Sequence, residues 1–262
     1  MAVKRDEPIL EVNHVSLNFR GVQALNDVSL AVNKGEILGI IGPNGAGKTS
    51  LLNCINGVYH PQKGNILLKG ENILPFNPSR RAAMGIGRTF QHVELFKGMT
   101  VLENIKLGAH TGIRSNLFGT LVWRGKSLRE ELKWREELER KVIDFLDLSA
   151  FRWHPVGLLP QGLQKRVDLG RALAMYPDLL LLDEPMAGMS VEEKEDMSSF
   201  LMDVHRDLGT TIVWIEHDLK TVKDLSDRVC VLNFGSKIAD GPFLEVKANP
   251  QVIEAYLGME EE

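Results

Sequence analysis

The stretch GPNGAGKT, Gly42 to Thr49, fits the spacing GxxxxGK[ST] between an apolar run and a helix-forming run. Each residue type answers a chemical need. The glycines let the backbone curl so that several N–H groups point at one anion, and the following helix adds its positive N-terminal end. Lys48 would reach the β- and γ-phosphates of a nucleotide, and the Thr49 hydroxyl would ligate Mg²⁺. Gly42, Asn44, Gly45, Ala46, Gly47, Lys48, Thr49 and Ser50 are therefore the candidates for holding ATP.

Two further clusters sit at the ends of apolar runs. LLLLDEP closes an apolar strand with Asp183 and Glu184, two carboxylates whose side chains point opposite ways along a strand and so should take different roles. Asp183 is placed to help hold Mg²⁺, directly or through water, and Glu184 to orient or deprotonate an attacking water. TTIVWIEHD places His217 at the end of another apolar strand, at the edge where open α/β sheets bind ligands. There it could hydrogen-bond the γ-phosphate and steady Glu184 with the attacking water.

The elements that must position these groups can be traced along the chain. ILEVNHVSLNF, NDVSLAV and EILGIIG read as strands, the last nearly continuous in apolar residues as a buried strand should be. Thr49 to Asn56 reads as a helix stopped by Gly57, and GNILLKGENI as a hairpin at the sheet edge. From about Val101 to Ala174 the signals are mostly helical. Within that stretch SLREELKWREELERKVIDFLDL sets Leu128, Leu132, Leu138, Val142, Phe145 and Leu146 near one face, and its dense charges form a solvated face. LLLLDEP and TTIVWIE then return as buried strands, VCVLNFGSKIADG closes as a hairpin, and NPQVIEAYLG is a short terminal helix. The expectation is an α/β core interrupted by a helical lobe, with one nucleotide-binding unit.

Bulk properties narrow the function classes. A chain of 262 residues with 44% hydrophobic and 25% charged residues suits one soluble core with a smaller attached lobe. A formal charge of −4 argues against nucleic acid as a partner. Cys54 and Cys230 lie far apart without CxxC or His-rich surroundings, so they read as small buried hydrophobes in a reducing compartment. The start, MAVKRDEPIL, carries charges where a signal peptide is apolar, and no apolar run approaches the roughly 20 residues of a membrane span. The expectation is a soluble, cytoplasmic protein that meets a membrane only through partners.

Taken together, GPNGAGKT, the Gln91 of RTFQHVELFKGMTVLENI, LPQGLQKRVDLGRALA, LLLLDEP and IEHD resemble the nucleotide-binding subunits of ABC transporters, in that family's order and over nearly the whole chain. The fold implied is a P-loop NTPase of α/β class: an ABC-type nucleotide-binding domain with a RecA-like core, an antiparallel β edge and an inserted helical subdomain. A single ABC ATPase domain would span 8–258, its core about 8–91 and 178–258, its helical subdomain about 92–177. The resemblance implies that Gln91 senses Mg²⁺ and the attacking water, so that Thr49, Gln91 and Asp183 form the metal set. It makes Phe19 the residue that stacks on adenine, beside the alternative of a plain core phenylalanine. GIGRTFQ, the segment between Gln91 and LPQGLQKRV, the DEPMAGM wording and the closing ANPQVIEAYLG are similar to the LivG-type importers of branched-chain (hydrophobic) amino acids. Related systems carry urea, short amides or organic acids, and no residue here touches the transported solute.

Such ATPases sandwich two ATP molecules between two subunits, each covering the other's γ-phosphate with its signature helix. The resemblance therefore implies a second, paralogous ABC ATPase, two transmembrane permease subunits, an extracytoplasmic solute-binding protein reached indirectly, and a peripheral place on the cytoplasmic face of the inner membrane. Glu94 to Met99 (ELFKGM) would lie near the permease's coupling helix. Aligned on RALA, the signature is Leu159-Pro160-Gln161-Gly162-Leu163, so Pro160, Gln161 and Gly162 would contact the partner's nucleotide. Pro160 replaces the usual serine and removes a hydroxyl and an N–H. Proline suits a first helical turn, so the signature should be weakened but working. Ser190 stands where the family often has an aspartate, which puts cross-talk between the two sites in doubt. Two other readings stay open: a soluble ABC ATPase without permeases, for example in metal-cluster assembly, and an ATP-binding regulatory module with little turnover.

Overall fold

A computed structural model describes residues 8–91, 93–108 and 139–257. In chain order the elements are β1 (Pro8–Phe19), β2 (Val22–Asn33), β3 (Ile37–Ile41), α1 (Lys48–Asn56), β4 (Lys63–Leu68), β5 (Glu71–Asn72), α2 (Pro78–Ala83), β6 (Ile86–Arg88) and α3 (Val101–Gly108). A π-helical turn (Glu139–Asp144) and two 3₁₀ turns lead to α4 (Gln161–Leu173) and β7 (Leu179–Asp183). There follow α5 (Val191–Leu208), β8 (Thr211–Ile215), α6 (Leu219–Leu225), β9 (Arg228–Asn233), β10 (Ser236–Gly241), α7 (Phe243–Lys247) and α8 (Pro250–Leu257).

The strands form two sheets. β2-β1-β4-β5 is antiparallel throughout, and β10-β9-β3-β8-β7-β6 is parallel except for β10. β3, β7 and β8 are buried at all five positions, which is why they read as continuous apolar runs. The period of two along each strand divides the core. Leu38 and Ile40 of β3 and Leu179 and Leu181 of β7 pack with β1, β2 and α1, whereas Ile37, Ile41, Leu180 and Leu182 pack with α3, α4 and α5 on the other face. The phosphate-loop helix α1 thus lies between the two sheets, and α4 lies on the opposite side of the larger one.

The C-terminus of α1 is closed from a distance. Arg81 of α2 is fully buried, and its guanidinium donates to the carbonyls of Cys54, Ile55, Phe76 and Leu74. Gly57 ends the helix in the left-handed region, as its position after Asn56 implied. Both cysteines are buried free thiols, and burial pushes each up to about 12.

Three details differ from the sequence reading. β6, a three-residue strand inside GIGRTFQ, is too short to show a period, yet it pairs with β7 and delivers Arg88 to the site. The helical run before Asp147 ends in π-helical geometry, with Val142 and Leu146 buried, while Leu128, Leu132 and Leu138 lie outside the described residues. Pro160 is the N-cap of α4, and the first helical residue is Gln161. Its carbonyl accepts the first intrahelical bond, from Gln164 N–H at 3.0 Å, but it offers no side-chain cap. Among the described residues, no helix is long and apolar enough to cross a membrane.

Candidate functional site

The loop between β3 and α1 is built for close approach. Gly42 has φ 144°, and a Cβ there would lie 2.0 Å from the Leu232 carbonyl oxygen. Gly47 has φ 97°, and its Cβ would lie 2.4 Å from the Ala24 carbonyl oxygen. Neither position admits a side chain, so the loop hugs β9 and β2 and leaves its N–H groups to face an anion. Lys48 is buried, with its ammonium donating to the carbonyls of Gly42 (2.7 Å) and Pro43 (2.8 Å). Burial draws its pKa down, and the carboxylates of Glu184 and Asp183 pull it back up.

Opposite the loop, β7 carries Asp183 to its last position. The Thr49 hydroxyl donates to Asp183 Oδ1 at 3.2 Å, so two oxygen donors converge in front of the phosphate loop. Behind Asp183 stands Arg88, with Nη2 3.6 Å from Oδ2 and both side chains almost wholly buried. Burial raises the Asp183 pKa, and the Arg88 guanidinium is the chief influence opposing it. Arg88 also lies over the Phe90 ring.

Glu184 follows in the left-handed region, at φ 50°. This turn, rather than continued strand alternation, sends its carboxylate away from Asp183: β7 has already ended. His217 Nε2 lies 2.8 Å from Glu184 Oε1, and Gln91 Nε2 donates to Oε2 at 3.1 Å. Burial would raise the Glu184 pKa, but the hydrogen bonds from His217 and Gln91 outweigh it and hold the carboxyl below its ordinary range. The three residues expected to act on the γ-phosphate and its water are therefore in direct contact. His217 lies two residues beyond β8, and the intervening Glu216 is buried. Glu216 accepts from the N–H groups of Met186 and His217, tying the His217 turn to the segment after Glu184.

An open cavity gathers Asn44, Gly45, Ala46, Gly47, Lys48, Thr49, Ser50, Gln91 and Glu184, with Val22, Gln23 and Ala24 on its remaining side. Phe19 does not line it. Its ring packs edge-on against Tyr59, with centroids 4.9 Å apart, and stays partly exposed. Pro160, Gln161 and Gly162 lie at the start of α4, across a second groove shared by Gln91, Gln161, Gln164, Lys165, Glu184 and Gly188. Ser190 caps α5 reciprocally: its hydroxyl accepts from Glu193 N–H, and Glu193 accepts from Ser190 N–H. In ELFKGM, Phe96 is exposed, and the segment is held from below by buried Asn104, which bonds Phe96, Met99 and Thr100.

Sequence reasoning missed Arg88, Lys165 and Glu216. Arg88 and Glu216 had a usable signal, a charged residue immediately beside a recognised motif and continuous with a buried strand. Lys165 had none, because a lysine on a charged-looking helix face reads as solvated until its burial is seen.

Comparison with known proteins shows the family. The ABC transporter family profile matches residues 25–187, and that of the branched-chain amino acid ATP-binding cassette transporters matches 236–261. The high-affinity branched-chain amino acid transport ATP-binding protein BraF of Pseudomonas aeruginosa is 38% identical, covering 96% of this chain and 98% of its own length. LivG of Escherichia coli is 37% identical over the same shares. A nucleotide-free ATP-binding cassette from an ABC transporter superposes with a TM-score of 0.82 at 32% identity, covering 95% of this chain and 99% of its own. The ADP conformation of such a cassette gives the same score and identity, over 96% and 99%. The chain belongs to the ABC transporter ATPases, in the branch of the branched-chain amino acid ATP-binding cassettes.

Proposed function

We propose that this chain is the ATP-hydrolysing subunit of an importer of branched-chain or related hydrophobic amino acids, with Glu184 as the base that activates water. The observation that carries the reading is the carboxylate of Glu184, held between His217 Nε2 and Gln91 Nε2 and facing the cavity that contains Lys48. Lys48 and the loop N–H groups would bind the phosphates once the ammonium leaves the carbonyls of Gly42 and Pro43. Phe19, beside Val22 at the hairpin end, would reach the adenine. Thr49 and Asp183, with Gln91, would hold Mg²⁺, a hard cation that takes oxygen donors and shares them with nucleotide phosphates. When bound it would neutralise charge on the phosphates. As its hydrogen bonds loosen, Glu184 becomes a stronger base and can take the proton of water lined up on the γ-phosphorus. His217, in contact with the same carboxylate, would then contact the γ-phosphate.

The phosphate loop leaves one side of the cavity open, so a second ABC ATPase would cover it with its own signature helix. Exposed Phe96 on ELFKGM would dock on one of two permease subunits, placing the chain on the cytoplasmic face of the membrane and within reach of a solute-binding protein's signal. The core would comprise about 8–91 and 178–258, and the helical lobe about 92–177.

The test is Glu184→Gln in the complex recovered from detergent-solubilised membranes through this chain. Turnover at this chain's site should fall by about 10²–10⁴-fold while ATP binding persists. Turnover at the wild-type rate would remove Glu184 from its role, and recovery of the chain without permeases would remove the importer reading.

A further inference from the structure

Lys165 is a buried cation that the proposed chemistry leaves unused. It lies on α4, three residues after Gly162 and so about 4.5 Å along the helix axis from the signature glycine. Its ammonium donates to the backbone carbonyl of Glu184 at 3.1 Å, and the charges facing it are Glu216, Glu184 and Asp168. The carbonyl it grips also accepts the Ala187 N–H at 3.2 Å, so it fixes the turn that leaves β7. That turn is the strained one: Glu184 occupies the left-handed region, where its Cβ crowds the backbone. Rotating the Glu184 peptide would swing its carboxylate relative to His217 and Gln91.

The same helix grips the other side of the carboxylate. Asp168 accepts the Phe90 N–H, and Arg171 Nη1 donates to the Glu94 carbonyl at 2.6 Å, so α4 brackets the segment carrying Gln91. α4 thus holds the Glu184 turn by Lys165 and the Gln91 segment by Asp168 and Arg171, while its N-terminus bears the residues aligned with the signature.

We propose that Lys165 is a positioning residue that sets the Glu184 turn according to where α4 stands, so that engagement of the partner's nucleotide at Pro160–Gly162 adjusts hydrolysis at this chain's own site. The inference rests on Glu184 being the base. It gives the coupling a physical element with two arrangements, ammonium on or off one carbonyl of a strained turn.

The experiment uses the membrane-derived complex in which the partner ATPase's own catalytic carboxylate is changed to the amide, so that only this chain's site turns over. Lys165→Met should lower kcat by about 10- to 100-fold, the size of one hydrogen bond from a charged donor, and leave the KM for ATP within about twofold. Lys165→Arg, which keeps the charge and a donor on that face, should recover most of the rate. An unchanged kcat in Lys165→Met, or an arginine variant as slow as the methionine one, overturns the proposal. If Lys165→Met lowers the melting temperature, Lys165→Gln is measured instead. The shorter neutral side chain should give the same loss, and a wild-type rate in it also overturns the proposal. Glu184→Gln in the same background separates the two claims. If Glu184→Gln still hydrolyses ATP, the base assignment fails. If it is silent while Lys165→Met runs at the wild-type rate, only the coupling role fails.

Discussion

Replacing Asp168 by asparagine should change how stability responds to pH, by an amount the structure sets. The Asp168 carboxylate is 3% exposed on α4, accepting from Arg171 Nη2 at 2.5 Å and from the Phe90 N–H. Burial dominates over Arg171, the Phe90 N–H and Lys165, and pushes the group from 3.8 up to about 6. The folded protein therefore binds this proton more tightly than the unfolded chain does. Stability is lost as pH rises from about 4 to about 6 and is level above that. At about 1.4 kcal/mol per pH unit, the full effect is about 3 kcal/mol, of which about 2 falls between pH 4 and pH 7. The substituted amide cannot ionise but still offers an oxygen to the Phe90 N–H. It leaves Arg171 without its charge partner, an offset that does not vary with pH in this range. Urea denaturation of the full chain at half-unit steps from pH 4 to 7 reads the difference directly. The stability of Asp168→Asn relative to the unsubstituted protein should climb by about 2 kcal/mol across that range. Parallel curves would refute the reasoning, because they would mean that Asp168 is solvated well enough to titrate as it does in the unfolded chain.

Two other substitutions probe the frame of the site. Arg81→Met should destabilise the protein by about 2–3 kcal/mol in denaturant titration, because it leaves the buried carbonyl of Ile55 unpaired and that of Cys54 with only the Gly57 N–H. A loss below about 1 kcal/mol would show that other donors reach those carbonyls. Pro160→Ser should supply the side-chain cap that α4 lacks, worth about 1 kcal/mol, and raise ATP turnover at the partner's site and, through Lys165, at this chain's own. Unchanged stability together with unchanged turnover in the assembled complex would rule out both effects.

The phosphate loop, the acidic strand end, the histidine strand end and the order of motifs were legible because each combines a residue pattern with an element boundary. Four leucines before Asp183 announce a buried strand, and a glycine–lysine–threonine run after another such strand leaves little choice of geometry. What escaped depends on tertiary contacts. The divergence of Asp183 and Glu184 arises from a left-handed turn that no local pattern signals in a glutamate. β6 is held by its pairing with β7, not by its own three residues. Pro160 looked like a residue inside the first turn, and only the start of the hydrogen-bonded ladder places it at the cap. The reciprocal cap of Ser190 with Glu193 was legible as a local Ser-x-x-Glu pattern and was passed over in favour of the residue's place near the dimer interface. Lys165 and Glu216 are charged residues whose burial is compensated across elements distant in sequence, Arg88 faces Asp183 while its Nε and Nη1 find no hydrogen-bond partner among the described residues, and composition alone assigns all three to the surface.

The packing of α4 against α5 constrains how this signature could be redesigned. A Cβ on Gly162 would stand 2.1 Å from Glu193 Oε1, the side chain that closes the cap of α5. Pro160 and Gln161 are exposed and touch nothing that forbids exchange, so the signature of another cassette can be grafted there one residue at a time. At Gly162 a side chain would displace the Glu193 carboxylate from the Ser190 N–H and open the cap of α5, at a cost of about 1 kcal/mol. That cost falls on the chain's own α5 before any partner arrives, so it would show in the stability of the isolated chain as well as in the pair.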